Sequence, residues 1–298
     1  MQGIEPFYRG IWLPLVTPFR NDVVDHAALK QLVAHYCKSG IAGLVVCGST
    51  GEAAALDESE QLAVLDTVLE EAGSLPVMMG LAGNNYRHVL ERLERIAQRP
   101  LAGILAPAPY YIRPSQAGLK DYFTALADHS RVPLVVYDIP YRTGVTLDTE
   151  TLLSLAGHGN IRGIKDCGGN ADKTQALISD GRLAVLAGED HQLLSTLCLG
   201  GHGAIIASAH IRPDLFVALW RAVRDQRLRE AQGLFQRLTP LIRLMFAEPN
   251  PGPIKALLSR QDWLENELRF PMMPVSAALS EDLTVAFAAL DSLQAGAR

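Results

Sequence analysis

Short runs of consecutive apolar residues alternate along this chain with longer stretches in which apolar positions recur every three or four residues. Uninterrupted runs such as Leu44-Val45-Val46-Cys47 predict strands buried on both faces, the habit of a parallel sheet covered by helices. Such runs fall at 11–15, 43–47, 77–80, 102–106, 134–138, 162–165, 184–187 and 203–207. Helical spacing occupies 27–38, 58–72, 86–98, 115–128, 148–156, 173–178, 192–199 and 213–224. The first of these sets Leu29, Leu32, Val33 and Tyr36 on one face and turns Lys30 and Lys38 away. Eight strand-then-helix units in strict alternation predict an α/β chain folded as a (β/α)8 barrel, a TIM barrel, rather than an open doubly wound sheet. Further helices are expected over 229–246, 252–258 and 280–294, the first two separated by the break Glu248-Pro249-Asn250-Pro251. The organisation expected is a barrel over 1–225 and a C-terminal helical extension over 226–298 packed on it.

Composition narrows the class. A chain of 298 residues, 48% hydrophobic and 20% charged, supports a sizeable core and argues against disorder. A net charge of −5 provides no electrostatic footprint for nucleic acid. No apolar stretch is long enough to span a bilayer and no signal-peptide core precedes Arg9, so a cytoplasmic protein with no membrane partner is expected. Cys37, Cys47, Cys167 and Cys198 are widely spaced without a CxxC pair, and no His/Cys cluster suggests a metal. Cys167 is a conceivable nucleophile, but no histidine lies near it in sequence.

In a barrel of this kind chemistry belongs at the C-terminal ends of the strands. The sixth predicted strand ends at Lys165, one of only six lysines, just before the loop Gly168-Gly169-Asn170. An amine held there is partly desolvated, which favours its neutral, nucleophilic form and suits Schiff-base chemistry. The bland alternative is a lysine that reaches the rim and pairs with Asp166. The second strand runs into Gly48-Ser49-Thr50-Gly51-Glu52, where two hydroxyls and closely spaced N–H groups suit a small anion such as a carboxylate, or simply form a tight turn. The fifth ends at Tyr137, a candidate proton carrier or a rim tyrosine closing the barrel. Arg142 follows on a loop fixed by Pro140 and Gly144, placed to grip a second carboxylate or to join a surface ion pair.

Together these segments resemble the pyruvate-dependent class I lyases of the dihydrodipicolinate synthase and N-acetylneuraminate lyase superfamily, from Gly10 to near the C-terminus. The turn 48–52 looks like the family's carboxylate-binding motif and Gly163-Ile164-Lys165 like its Schiff-base strand. Three segments point to the dihydrodipicolinate synthase branch: 109–116, 137–144 with arginine at 142, and 246–251. The resemblance implies that Lys165 forms an imine with pyruvate, whose enamine attacks L-aspartate 4-semialdehyde to give 4-hydroxy-tetrahydrodipicolinate. It implies that Ser49 and Thr50 hold the pyruvate carboxylate, and that Tyr137, Thr50 and Tyr111 relay protons, with Tyr111 supplied by a neighbouring subunit. Arg142 would bind the second substrate, and the backbone near Gly188 and Ile205 would line the pocket. No metal or organic cofactor is implied, and a homotetramer built from dimers is.

The chain departs from the family pattern in several places. Ser49-Thr50 stands where Thr-Thr is common, Asp138 where asparagine is usual, and Asp166-Cys167-Gly168 replaces the usual Glu-Ala/Ser segment. The two aspartates are expected to add charge near the imine. At the family's lysine-feedback site Asn84 and Tyr110 are kept, but His88 replaces a glutamate and Glu58 and Gln61 stand where histidines can lie, so lysine is expected to inhibit weakly or not at all. Another pyruvate-dependent aldolase or dehydratase acting on a sugar acid or other aldehyde, and a non-catalytic binding barrel, remain alternatives.

Overall fold

The fold was analysed in a computed structural model, which describes residues 8–292. Eight parallel strands close into a barrel: β1 (Gly10–Pro14), β2 (Gly43–Val46), β3 (Val77–Gly80), β4 (Gly103–Pro107), β5 (Leu134–Asp138), β6 (Ile161–Asp166), β7 (Ala184–Ala187) and β8 (Gly203–Ile205). Each pairs with its sequence neighbours, and β1 closes the ring against β8. The surrounding helices are α1 (His26–Tyr36), α2 (Glu58–Ala72), α3 (Tyr86–Ile96), α4 (Gln116–His129), α5 (Thr149–Leu155), α6 (Ala171–Asp180), α7 (Leu193–Cys198) and α8 (Pro213–Arg224). Their starts follow local chemistry. Asp25, Asn85, Ser115 and Asn170 cap α1, α3, α4 and α6 through their side chains, and Asp57 with Glu60 forms a capping box on α2.

Strand alternation sorts side chains between two apolar layers. Outward residues such as Ile11, Leu13, Leu44, Val46, Val136 and Ile164 pack against the helices, with Leu29, Leu32, Val33 and Tyr36 on the buried face of α1. Inward residues fill the barrel, and at its N-terminal end Tyr8 and Trp12 meet edge to face with centroids 5.8 Å apart. Tyr8 Oη donates to the Ala102 carbonyl at 2.7 Å. Room for this plug comes from glycines: a Cβ on Gly43 would fall 2.3 Å from the Trp12 ring, and one on Gly103 2.4 Å from Tyr8 Oη. The chemistry is thereby confined to the opposite, C-terminal mouth.

Two features differ from the sequence expectation. A hairpin of Phe19–Arg20 with Val23–Val24 follows β1, turning through Asn21 and Asp22 at φ 53° and 62°. The eighth strand stops at Ile205 rather than 207, because the buried Asp190 carboxylate takes the Ala207 and Ser208 N–H groups at 3.3 and 2.6 Å and starts a 3-10 turn over Ser208–His210. After α8 come α9 (Leu228–Leu244), α10 (Gly252–Arg260) and α11 (Ala277–Ser292); positions 293–294 of the last expected helix lie outside the described residues. Every residue of α10 from Gly252 to Leu258 is buried, so this part of the extension is core. Among the described residues, no helix is long and apolar enough to cross a membrane.

Candidate active site

On β6 the period-two alternation sends Gly163 and Lys165 into the barrel and Asp166 outward. Asp166 accepts hydrogen bonds from the Gly168 N–H at 2.9 Å and the Thr174 hydroxyl at 2.5 Å, on the helix side of the strand. The alternative pairing of Lys165 with Asp166 is therefore ruled out by geometry. Lys165 is 6% exposed, and among the described residues it makes neither a hydrogen bond nor an ion pair. Its Nζ lies 4.3 Å from the centroid of the Tyr137 ring, whose strand position is its direct partner across β5 and β6. Burial pulls the Lys165 amine below the ordinary lysine range; Cys167, Asp190 and Glu189 oppose this, and Arg142 adds to it.

Tyr137 is itself buried, which raises its phenol well above the usual tyrosine value, while the nearby Ser49 side chain acts the other way. Here the structure separates two adjacent hydroxyls. Ser49 lines the cavity above Lys165, whereas Thr50 accepts a hydrogen bond from Asn250 Nδ2 at 3.0 Å. The turn is held internally by Gly51 N–H to Gly48 O at 3.1 Å and Ala53 N–H to Gly48 O at 3.3 Å, with the Thr17 hydroxyl donating to Gly51 O at 2.7 Å. Glu52 completes it in the left-handed region at φ 52°.

The cavity holds about 240 Å³ and is walled by Val45, Leu105, Ile139, Tyr110, Ser49 and Arg142, with Lys165 and Tyr137 in its lining. Gly188 abuts the lysine stem: a Cβ there would lie 2.3 Å from Cys167 Sγ and 2.9 Å from Lys165 Cγ. Ile205 lies in the interior cluster with Tyr137. Arg142 sits on a single helical turn, Pro140–Thr143, closed by Gly144 at φ 75°. It lines both this cavity and a larger cleft of about 980 Å³ formed with Tyr141, Glu189, His191, Arg243 and Asn250. Tyr111 is 88% exposed at φ 70° and stands away from the cavity lining, beside exposed Tyr110 and Ile112.

Several sequence expectations need correction. Neither departing aspartate faces the amine: Asp138 points outward, pairs with buried Lys173 and accepts from the Leu147 N–H at 3.2 Å. Lys173, on α6, and Lys255, on α10, are buried as well. Cys167 lies 4.0 Å from Tyr137 Oη, yet burial raises its thiol well above the usual range, which removes the thiolate a nucleophile needs. At the former feedback positions, Glu58 is ringed by His88 at 2.7 Å, Arg95 at 2.9 Å and Arg92 at 3.6 Å, and Arg92 also donates to Gln61 at 2.6 Å. The gap left among them is about 10 Å³, room for a water at most. Tyr110 lines the Lys165 cavity, not this gap. Among the described residues, no group of three or more His, Cys, Asp or Glu side chains is placed to hold a metal.

Sequence reasoning missed Glu189, Asn250 and the anchoring of Glu52. Glu189 follows Gly188 at the end of β7, so the strand-end rule would have found it. Asn250 comes from the extension, and only the tertiary fold brings it to Thr50.

Comparison with known proteins agrees with this architecture. The model of the Dihydrodipicolinate synthetase family matches residues 7–290. The 4-hydroxy-tetrahydrodipicolinate synthase 2 of Clostridium acetobutylicum is 35% identical over 278 residues, covering 92% of this chain and 97% of its own. The solved 4-hydroxy-tetrahydrodipicolinate synthase of Methylacidiphilum fumariolicum SolV superposes with a TM-score of 0.94 at 30% identity, covering 97% of this chain and 98% of its own. The chloride-inhibited dihydrodipicolinate synthase of Acinetobacter baumannii, solved with pyruvate, gives 0.92 at 30% identity over 95% and 99%. With matches spanning nearly the whole chain, a closed (β/α)8 barrel and a lysine at the end of its sixth strand, the chain belongs to the dihydrodipicolinate synthetase family.

Proposed function

We propose that this chain is a class I lyase that condenses pyruvate with L-aspartate 4-semialdehyde to 4-hydroxy-tetrahydrodipicolinate, through an imine on Lys165 and without a metal or organic cofactor. The observation that carries the reading is the state of Lys165: a buried amine with no counter-ion, beside Tyr137, in a cavity that opens to Arg142. The amine attacks the pyruvate carbonyl and water leaves. Loss of a methyl proton gives the enamine, whose carbon attacks the aldehyde of the second substrate. The second substrate's own amine then displaces Lys165 from the imine carbon and closes the ring. The iminium is the electron sink throughout.

The cavity-lining Ser49 hydroxyl suits the carboxylate of pyruvate. Because Ser49 lines the cavity with Tyr137 and Lys165 while Thr50 is tied to Asn250, Ser49 takes the hydroxyl place in the proton relay that the resemblance assigned to Thr50. Arg142, set between the cavity and the outer cleft, is positioned for the carboxylate of the aldehyde substrate. The exposed Tyr110-Tyr111-Ile112 segment fits a contact with a second copy of the chain, through which Tyr111 would complete the relay, and so at least a dimer and, by family resemblance, a tetramer.

The size of the outer cleft favours a second reading, an aldehyde longer than four carbons such as a sugar-acid fragment. An assay with pyruvate and a panel of aldehydes separates the two. Turnover of aspartate semialdehyde that falls at least about tenfold in Arg142→Ala supports the first reading. Unchanged turnover of that substrate in the variant, or preference for a longer aldehyde, contradicts it.

A further inference from the structure

The turn that holds Ser49 is tied to the C-terminal extension by a buried ion pair. Glu52 is 6% exposed and Lys255, on α10, is fully buried; Glu52 Oε1 and Lys255 Nζ lie 2.5 Å apart. Glu52 Oε2 accepts the Arg269 backbone N–H at 3.1 Å. Lys255 Nζ also donates to the Glu267 carbonyl at 2.8 Å and lies 4.2 Å from the centre of the Phe19 ring. The same turn is gripped further along: the Arg269 guanidinium donates to Ala55 O at 2.8 Å and forks onto Glu60 at 2.5 and 2.6 Å. Asn250, two residues before α10, donates to Thr50. Three segments of the extension thus converge on one loop of the barrel, the loop that carries the candidate carboxylate cradle.

A buried ion pair contributes little net stability compared with apolar residues of the same volume, and where it persists a role in fixing one arrangement is a reasonable inference. Here the arrangement is demanding. Glu52 holds a left-handed backbone three residues after Ser49, and its N–H closes onto Ser49 O at 3.2 Å. A carboxylate fixed from behind by Lys255 and Arg269 sets that backbone, and with it the direction of the Ser49 hydroxyl and the turn's N–H groups.

We propose that Glu52 and Lys255 are positioning residues: their buried pair, made across barrel and extension, presets the Ser49 turn for the carboxylate of the keto acid. This inference rests on reading that turn as the carboxylate cradle. It assigns the extension a part in first-substrate affinity, beyond its packing.

The test uses the full-length double variant Glu52→Leu/Lys255→Met, which removes both charges and leaves no lone buried ion. Its melting temperature is expected to stay near that of the parent, while KM for pyruvate rises at least about tenfold, since small misplacements of a positioning loop weaken its interactions steeply. KM for the aldehyde is expected to stay within about threefold of the parent. Asn250→Ala, which cuts the separate tie to Thr50, is expected to show the same pyruvate-selective rise at about half the size in logarithmic terms. A purely structural pair would change melting temperature without this split. The inference is overturned if the folded double variant keeps KM for pyruvate within twofold; should that variant not fold, an unmoved KM in Asn250→Ala overturns it. Borohydride trapping of pyruvate on the parent protein keeps the two questions apart. No adduct on Lys165 sinks the underlying reading, whereas a normal adduct with an unmoved KM sinks only this inference.

Discussion

Three of the six lysines in this protein are withdrawn from water, and they differ in what faces them. Lys255 meets the Glu52 carboxylate and a backbone carbonyl, and Lys173 meets Asp138 and the Leu147 carbonyl. Lys165 meets an aromatic face and a cavity. Burial pulls Lys255 down to about 8 even with Glu52 holding it up, so desolvation acts on both amines. The counter-ion makes the difference. An amine in contact with a carboxylate keeps its proton and its place, whereas a buried amine without one is destabilised as an ammonium and left free to react. Lysine burial alone does not mark a nucleophile here; an unpaired amine opening on a space of substrate size does.

The largest effect expected from this contrast is at Lys165. Lys165→Met should lower turnover by at least about 10³-fold and leave the fold intact or slightly more stable, because an unpaired buried amine has been replaced by an apolar side chain. Activity assays with a thermal melt check both halves, and a large loss of stability would place Lys165 with the structural lysines. Lys255→Met should act chiefly on stability, beside the pyruvate-selective rise in KM expected of its pair. Stranding the Glu52 carboxylate costs on the order of 3–5 kcal/mol in denaturant unfolding, while pyruvate can still be trapped on Lys165.

His210 provides a buried base that is unpaired but sealed from any substrate. Burial lowers it from 6.5 to about 4, and its ring instead contacts the Val16 N–H at 3.2 Å and the Ala207 carbonyl at 2.8 Å. Because its folded value lies below its unfolded one, the unfolded chain binds the extra proton between those values. This group's contribution is therefore intact above pH 6.5 and is lost as pH falls towards 4, by about 3 kcal/mol. Unfolding curves across that range should show the loss, and a His210→Gln variant that folds should show less of it.

Smaller still is the contrast between the two hydroxyls of the turn. Ser49→Ala should lower kcat by about 10²-fold, and Thr50→Ala should act mainly on KM for pyruvate, by about tenfold or less. Steady-state kinetics that reverse the two would restore Thr50 to the relay. The smallest effect is expected from free lysine: with Glu58 ion-paired by His88, Arg92 and Arg95, millimolar lysine should leave turnover unchanged, and an inhibition constant below about 1 mM would contradict this.

Lys165 was legible in the sequence because two rules coincide on it: strands of a barrel end in chemistry, and a lysine seldom closes an apolar run. Lys255 was not. Its helix is buried all round, and periodicity cannot distinguish a stripe from a fully enclosed helix once the extension folds over it. The separation of Ser49 from Thr50 depends on the turn's backbone, with Cys47 and Glu52 at φ 51° and 52°, and no residue type there announces those angles. Asp138 was readable but misjudged. If Tyr137 points inward, its neighbour on the same strand must point out, and the charge expected at the imine belongs between barrel and helices.

The central claim is that Lys165, alone among the three buried lysines, is the amine that meets substrate. Incubation with pyruvate, reduction with borohydride and peptide mapping by mass spectrometry tests it most directly. One reduced pyruvate adduct on the peptide carrying Lys165, with those carrying Lys173 and Lys255 unmodified, is the predicted result. No adduct at all, or an adduct on either paired lysine, would contradict it.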